Sequence, residues 1–106
     1  MDTSLKLSIV VPCYNEEQVI EETNRRLQQL LEGWIRNALI THYEIIYVND
    51  GSRDSTLKKL KELANRNQNI KIISFSNNFG HQAALTAGLY HASGDAAVSL
   101  DADLQD

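Results

Sequence analysis

Four short apolar runs alternate with longer amphipathic segments along this chain, and the alternation restricts the fold more than any other feature of the sequence. Each run is rich in Ile and Val and is bounded by turn residues, which is typical of β-strands. Adjacent apolar residues such as Val10 and Val11 favour strands that are covered on both faces. The predicted strands are Leu5–Pro12, Tyr43–Val48, Ile70–Phe75 and Ala96–Leu100.

The first segment between these runs has the apolar spacing of a helix. Apolar side chains from Val19 to Ile35 recur on one face of a 3.6-residue period. Asn15 is predicted to cap this helix, because its side chain can accept a hydrogen bond from a free N–H group. Gln18, three residues later, completes a capping-box pattern.

Two further helices are predicted. One begins at about Asp54, which we expect to act as its cap, and the other extends from Gly80 to about Ala92. Small residues such as Ala84 and Gly88 leave the third helix with little side-chain bulk. We therefore expect it to approach the sheet closely.

This order of elements, β-α-β-α-β-α-β, predicts an α/β fold in which a parallel sheet carries helices on both faces. A chain of 106 residues fits one compact domain and is too short for two. The expected organisation is therefore one domain over residues 1–106.

Composition disfavours several functional classes. Fourteen acidic side chains against ten Lys and Arg give a net charge of −4, so nucleic-acid binding through a basic face is not expected. The single cysteine, Cys13, excludes an internal disulfide and favours a reducing compartment. The sequence has neither a run of about 18 apolar residues nor a secretory signal at its start. These features predict a cytoplasmic location.

The chemistry is expected at the carboxyl ends of the strands, where open α/β sheets bind their ligands. All four segments that follow the strands are polar, and three of them carry carboxylates. Asn78 and Gly80 predict a turn at which the backbone closely approaches the third helix. The four segments are 12–17, 49–54, 76–82 and 101–106.

Asp101 and Asp103 lie two residues apart after the last strand, so both carboxylates can lean toward one side. Two hard oxygen ligands suit Mg²⁺ or Mn²⁺, which keeps several waters and shares the phosphate oxygens of a substrate. The alternative is a solvated acidic turn. The position after a buried strand favours the metal site.

The other strand ends leave more than one interpretation open. Asp50 is suited to accept a hydrogen bond from a ribose hydroxyl or a base N–H, and it is equally suited to an Asx turn that caps the second helix. Tyr14 is suited either to stack on a nucleotide base or to cover the edge of the hydrophobic core. His81 lies near the start of the third helix, where N–H groups can face a phosphate, or it is a surface residue. Cys13 is interpreted as a small packed side chain.

These motifs occur in an order that resembles the nucleotide-binding half of the family 2 inverting glycosyltransferases, whose GT-A fold is Rossmann-like. The similarity covers nearly the whole chain after Lys6 and is strongest to the polyprenyl-phosphate sugar transferases, the bactoprenol glucosyltransferase and dolichyl-phosphate mannose synthase type. The matching segments are 10–16 (VVPCYNE), 48–54 (VNDGSRD), 78–88 (NFGHQAALTAG), 93–95 (SGD) and 100–106 (LDADLQD).

The resemblance implies roles for individual residues. Asp101 and Asp103 would be the catalytic Asp-x-Asp pair and the metal ligands, with Asp103 the direct ligand and Asp101 nearer the ribose and diphosphate. Asp50 would read the base or the ribose. His81 stands where some members of the family have Lys or Arg. The residues assigned to nucleotide binding are Pro12, Tyr14, Glu16, Asp50, Asn78, Gly80, His81 and Asp101.

The resemblance also implies a function in polysaccharide or cell-wall synthesis. A sugar would pass from a UDP- or GDP-linked donor to a polyprenyl phosphate or a growing glycan, with a divalent cation at the leaving diphosphate. The alternative is a nucleotide- or metal-binding fragment that turns nothing over. Because the family continues into an acceptor-binding half, and its lipid-linked members into membrane helices, we expect an inactive fragment. The run at Ala96–Leu100 would then be an exposed edge that promotes self-association.

Three other functional classes fit the sequence less well. A phospho-acceptor signalling domain would need a lysine at a late strand end, and none follows these strands. A dinucleotide-binding oxidoreductase would need Gly-x-Gly-x-x-Gly after the first strand. A glycosidase needs two acids on different sides of a sugar, whereas Asp101 and Asp103 share one strand end.

Overall fold

A computed structural model of the protein describes residues 4–103. Within that range the chain forms four strands and three helices in the predicted order, and the strand bounds agree with the predicted ones to within two residues. The elements are β1 (Lys6–Cys13), α1 (Ile20–Arg36), β2 (His42–Asp50), α2 (Thr56–Arg66), β3 (Ile70–Phe75), α3 (His81–His91) and β4 (Ala96–Ser99).

The strands of the described region form one parallel sheet in the order β3-β2-β1-β4. The register places Ile9 of β1 beside Ile45 of β2 and Val98 of β4. The chain therefore builds outward from β1 to β3 and then returns across the sheet to place β4 on the other side of β1. This parallel arrangement confirms the predicted fold class.

The two faces of the sheet are covered differently. On one face, Val11 and Tyr47 pack in a core with Leu27 of α1 and Leu60 of α2. On the other, Val10, Ile46 and Val48 pack against Ala84 of α3. Among the described elements, α1 and α2 thus share one face and α3 lies on the opposite one.

The close approach of α3 to the sheet is confirmed. A Cβ atom built on Gly88 would lie 2.2 Å from Cγ1 of Val10 and 3.2 Å from Cγ2 of Val48. Both valines are fully buried in central strands of the sheet. Gly88 is therefore required by packing.

We expect Gly88→Ala to lower the free energy of unfolding by about 1–3 kcal/mol, because it overpacks a rigid contact. Urea denaturation measures the change. Gly33→Ala is the matched control, since the new Cβ in α1 would meet only an Arg36 side-chain nitrogen at an ordinary 3.5 Å. Helix propensity should make that variant more stable, by up to about 1 kcal/mol. A Gly88→Ala protein as stable as Gly33→Ala would contradict the packing argument.

The predicted cap of the first helix is wrong. The helix begins at Ile20, with Val19 at the cap position and no side-chain cap. Asn15 has a positive φ of 53°, and its Oδ1 accepts a hydrogen bond from the N–H of Arg53. A turn closed by the carbonyl of Glu16 separates Asn15 from the helix. Asn15 therefore joins the β1–α1 loop to the β2–α2 loop, which local spacing could not indicate.

The predicted cap of α2 is one residue away from the observed one: the cap position is Ser55, which makes no side-chain cap bond, and Asp54 precedes it. Its Oδ1 accepts hydrogen bonds from the N–H and the hydroxyl of Thr56, at 2.9 and 2.5 Å. Its Oδ2 accepts a bond from the N–H of Glu17 at 3.3 Å. Asp54 thus stabilises the first turn of α2 from one residue before the cap position, Ser55.

A buried carboxylate in β2 was not anticipated from the sequence. Glu44 is 1% exposed, and its oxygens accept hydrogen bonds from the hydroxyl of Ser8, from the N–H and hydroxyl of Ser93, and from Nζ of Lys71. Lys6 Nζ lies 3.7 Å away. Burial raises the pKa of Glu44, but these hydrogen bonds outweigh burial and lower it to about 2. The cluster joins β1, β2, β3 and the turn that leads into β4.

The last strand lies at an open edge of the sheet. All four residues of β4 are exposed, and Val98 retains 45% of its accessible surface. This geometry agrees with the exposed edge expected from the sequence, and self-association through it stays a prediction. In the region that the structure describes, no helix is long and apolar enough to span a bilayer.

Candidate functional site

Because all the strands run in one direction, their carboxyl ends meet at one edge of the sheet. A cleft of about 330 Å³ opens there between the end of β1 and the loop that precedes α3. Seven of the eight residues predicted to bind nucleotide line it, and Asp101 does not. The lining residues are Pro12, Cys13, Tyr14, Glu16, Asp50, Asn78, Gly80 and His81.

Asp50 organises one wall of the cleft. Its side chain is 3% exposed, and its carboxylate accepts hydrogen bonds from the N–H of Phe79 at 2.7 Å, the N–H of Gly80 at 2.9 Å and Nδ2 of Asn78 at 3.0 Å. Asn78 Nδ2 also donates to the Asp50 carbonyl. The carboxylate at the end of β2 therefore holds the loop from which α3 begins.

The Asx-turn interpretation of Asp50 is wrong, because the preceding residue makes that contact. Asn49 Oδ1 accepts the hydrogen bond from the N–H of Ser52, at 3.3 Å. Gly51 then adopts a φ of +71°, and a Cβ built on it would lie 2.3 Å from the backbone carbon of Asn77. The turn after β2 thus lies directly against the loop after β3, and only glycine fits between them.

Tyr14 and Cys13 occupy opposite environments at the end of β1. Tyr14 is 41% exposed, so its ring is accessible at the cleft. Cys13 is buried, and burial, followed by the charge of Glu16, raises the pKa of its thiol. Cys13 is therefore a packed side chain, as predicted, although it also contributes to the wall of the cleft.

The cleft lies at the amino-terminal end of α3. Gly80 has a φ of +103°, and its carbonyl accepts the hydrogen bond from the N–H of Ala84. His81 is the first helical residue, and its side chain is exposed. The free N–H groups and the positive end of the helix dipole favour a negatively charged ligand at this end of the cleft.

Asp101 and Asp103 lie on the other side of β1, after β4. Both side chains are exposed, whereas Ala102 between them is buried. The hydroxyl of Thr23 on α1 donates a hydrogen bond to the Ala102 carbonyl. Thr23 was not predicted as a site residue, although a polar residue on the apolar stripe of a helix is a signal that could have identified it.

The acidic side chains at the ends of β1 and β4 are close enough to affect one another. Burial raises the pKa of Glu16, and the charges of Asp103, Asp54 and Asp101 raise it further. The structure therefore brings the first and last strand ends together, with Asp50 on the same edge beyond β1. The last three residues of the predicted motif, 104–106, lie outside the described residues.

The donor set suits a cation that is shared with a ligand. Among residues 4–103, no group of three or more His, Cys, Asp or Glu side chains is arranged to hold a metal ion. Asp101 and Asp103 instead supply carboxylate oxygens at an exposed edge. Mg²⁺ and Mn²⁺ commonly bind to one or two carboxylates together with waters and substrate phosphates, so the residues fit such an ion.

Comparison with known proteins agrees with this geometry. The chain is 48% identical over 106 residues to the uncharacterized glycosyltransferase YkcC of Bacillus subtilis, covering all of this chain and 31% of YkcC. It is 42% identical over 105 residues to the bactoprenol glucosyl transferase of Shigella phage SfV, covering 96% and 32%. The chain therefore spans about a third of the length of these relatives.

Two solved structures have the same fold. The mannosyltransferase PcManGT of Pyrobaculum calidifontis, in complex with GDP-Man and Mn²⁺, superposes with a TM-score of 0.76 at 27% identity, covering 94% of this chain and 28% of that one. TarS residues 1–349 of S. aureus, in complex with UDP-GlcNAc, gives 0.69 at 28% identity, covering 93% and 27%. The model of glycosyl transferase family 2 matches residues 8–106, and the protein described here belongs to that family.

Proposed function

We propose that the chain is the donor-binding part of an inverting glycosyltransferase, which transfers a sugar from a UDP- or GDP-linked donor to a polyprenyl phosphate or a growing glycan. One observation carries the proposal. The cleft lined by Tyr14 and Asp50 and the exposed pair Asp101 and Asp103 lie at the same edge of one parallel sheet.

The relatives support each half of this proposal. The PcManGT structure holds GDP-Man and Mn²⁺, and TarS structures hold UDP or UDP-GlcNAc. The name of the Shigella phage relative, bactoprenol glucosyl transferase, supports a lipid acceptor. An acceptor of that kind favours a location at the cytoplasmic face of a membrane.

The chain's own residues would bind the donor as follows. The exposed ring of Tyr14 would stack on the base, next to Pro12 and Glu16. Asp50 would keep the loop before α3 in place, so that the first N–H groups of the helix face the diphosphate.

Asp103 would be the direct ligand of Mg²⁺ or Mn²⁺, with Asp101 beside it nearer the ribose and diphosphate. When bound, the ion would stabilise the negative charge of the leaving nucleoside diphosphate. Glu16, whose pKa is raised by burial and by these carboxylates, would add to the negative potential that attracts a cation.

In the proposed reaction, an acceptor oxygen attacks the anomeric carbon as the bond to the nucleoside diphosphate breaks on the opposite side, which inverts the configuration. The oxygen of a lipid phosphate is already anionic, so this attack needs no general base. A sugar hydroxyl would need one. The lipid phosphate is for this reason the simpler acceptor.

The second candidate is a donor-binding module that performs no turnover by itself. This candidate is favoured because the chain matches 31% of the length of YkcC, which is a minor part of that relative. Both candidates require donor binding, and only the first requires transfer.

Calorimetry with UDP-glucose, UDP and GDP-mannose, with and without Mn²⁺, tests the proposal. We expect binding that Mn²⁺ strengthens, and we expect Asp103→Ala to weaken the Mn²⁺-dependent binding at least about 10-fold, which is 1.4 kcal/mol. Glu62→Ala, which removes an exposed carboxylate on α2, is the control and should bind like the wild type.

A folded wild-type chain that binds none of these nucleotides would overturn both candidates. Equal weakening in Asp103→Ala and Glu62→Ala would show that only net charge matters and would remove Asp103 from the site. Transfer of sugar to an added polyprenyl phosphate would separate the enzyme from the binding module.

A further inference from the structure

Helix α1 carries a hydroxyl on its buried face. Ile20, Thr23 and Leu27 follow one another on the stripe that packs on the sheet, and Thr23 is 3% exposed. A buried hydroxyl requires a hydrogen-bond partner. That of Thr23 is the carbonyl of Ala102, 79 residues later in the chain.

Ala102 is held at two points. Its side chain is buried in the core that α1 and the sheet share, and its carbonyl accepts the bond from Thr23. With residue 102 fixed in this way, Asp101 and Asp103 on either side of it are exposed at the strand end. The backbone that carries both carboxylates is therefore anchored through residue 102 and its partner on α1.

The sheet itself supports this segment weakly. β4 is an exposed edge strand of four residues that pairs with β1 from Ala96 to Ser99. The N–H of Leu100 adds one bond to the carbonyl of Val10. Within the described residues, the last backbone bond to β1 is therefore made at Leu100, and the contact of Ala102 with Thr23 lies beyond it.

We propose that Thr23 is a positioning residue for the metal ligands, because its hydroxyl fixes the peptide between Asp101 and Asp103. The inference rests on the proposed function, in which these two carboxylates bind a divalent cation shared with the nucleotide diphosphate. Residues that orient metal ligands typically change the metal affinity about 10–100-fold when they are removed.

The test measures the affinity of the 106-residue chain for Mn²⁺ in the presence of UDP. The concentration of free Mn²⁺ is determined from its electron paramagnetic resonance signal. Thr23→Val keeps the shape of the side chain and removes the hydroxyl, and we expect about 10-fold weaker Mn²⁺ binding. Thr23→Ser keeps the hydroxyl and should stay within about 2-fold of the wild type. Metal-free UDP binding should be the same in all three proteins.

Tyr47→Phe is the matched structural control. It removes another buried hydroxyl that donates to α1, in this case to Oδ1 of Asn24 at 2.7 Å. We expect a loss of stability in urea denaturation without a change in Mn²⁺ affinity. If Thr23→Val does not fold, Thr23→Ala provides the same comparison.

The outcomes separate the two proposals. If the wild type binds Mn²⁺ and a folded Thr23→Val protein binds it with the same affinity, the positioning role is overturned and the proposed function is not. The positioning role is also overturned if Thr23→Ser or Tyr47→Phe weakens Mn²⁺ binding as much as Thr23→Val does. A folded wild type that binds neither UDP nor Mn²⁺ overturns the proposed function, and this inference with it.

Discussion

Replacing Asp50 with alanine should lower the free energy of unfolding by about 3 kcal/mol and abolish nucleotide binding. The buried carboxylate accepts hydrogen bonds from two backbone N–H groups and one side-chain amide in the loop before α3. Alanine leaves the two N–H groups without their acceptor and Asn78 Nδ2 with the main-chain carbonyl at position 50 alone, and each unsatisfied donor costs about 1–3 kcal/mol before the loop relaxes. Urea denaturation and calorimetry with UDP measure the two effects.

Two further variants sharpen this prediction. Asp50→Asn keeps one acceptor oxygen but places an amide NH₂ group toward the N–H donors, so its stability should lie between those of wild type and alanine. Asp95→Ala is the control, since that exposed carboxylate also accepts a backbone N–H, from Lys6 at 2.8 Å. We expect Asp95→Ala to change stability by less than about 1 kcal/mol and to leave nucleotide binding intact. If Asp50→Ala kept wild-type stability, the loop would not depend on this carboxylate.

The second large effect concerns Glu44 and pH. Burial opposes the charged form of this side chain, but hydrogen bonds from Ser8, Ser93 and Lys71 lower its pKa to about 2. The folded state therefore binds its proton more weakly than the unfolded state, where the pKa is about 4.3. The stabilisation is fully present above about pH 5 and is lost as the pH falls through 4 toward 2. Its size at neutral pH is about 3 kcal/mol.

Glu44→Gln tests this linkage. The variant should be about 3 kcal/mol less stable than wild type at pH 7, and the difference should shrink as the pH falls from about 5 to 2. Urea denaturation at several pH values provides the measurement. Glu22→Gln is the control, because the pKa of Glu22 is also lowered, by its hydrogen bond with Arg25, but on the exposed face of α1. Because solvent screens this exposed pair, that variant should depart from the pH dependence of the wild type far less than Glu44→Gln does. A constant difference between wild type and Glu44→Gln at all pH values would contradict the argument.

The fold class and most of the cleft follow from local sequence. Alternating strand and helix periods predict a parallel sheet, and the common direction of its strands brings their carboxyl ends to one edge. For this reason Pro12, Tyr14 and His81 could be predicted to lie together, although 69 positions separate the first from the last. The order of strands was not predictable in the same way, because hydrophobic patterns do not specify neighbours.

Errors arose where a polar side chain has a distant partner. Asn15 was expected to cap its own helix but bonds to Arg53 in another loop. Local sequence is compatible with either a ligand role or an Asx turn for Asp50, and the Asx turn is wrong because its carboxylate holds residues 78–80. In each case the nearby backbone groups suggested a local bond, and the tertiary structure supplied a better one.

The α/β class, the single sheet and the positions of the acidic strand ends could be inferred from the amino-acid order alone, because they depend on side-chain periodicity and on residues adjacent to one another. The folded chain was needed to show that Glu44 is buried between two lysines, that Asp50 holds the loop before α3, and that Thr23 contacts Ala102. These contacts join residues 27 to 79 positions apart. They exist because the strand order β3-β2-β1-β4 brings distant segments side by side, and that order follows from the packing of the whole sheet.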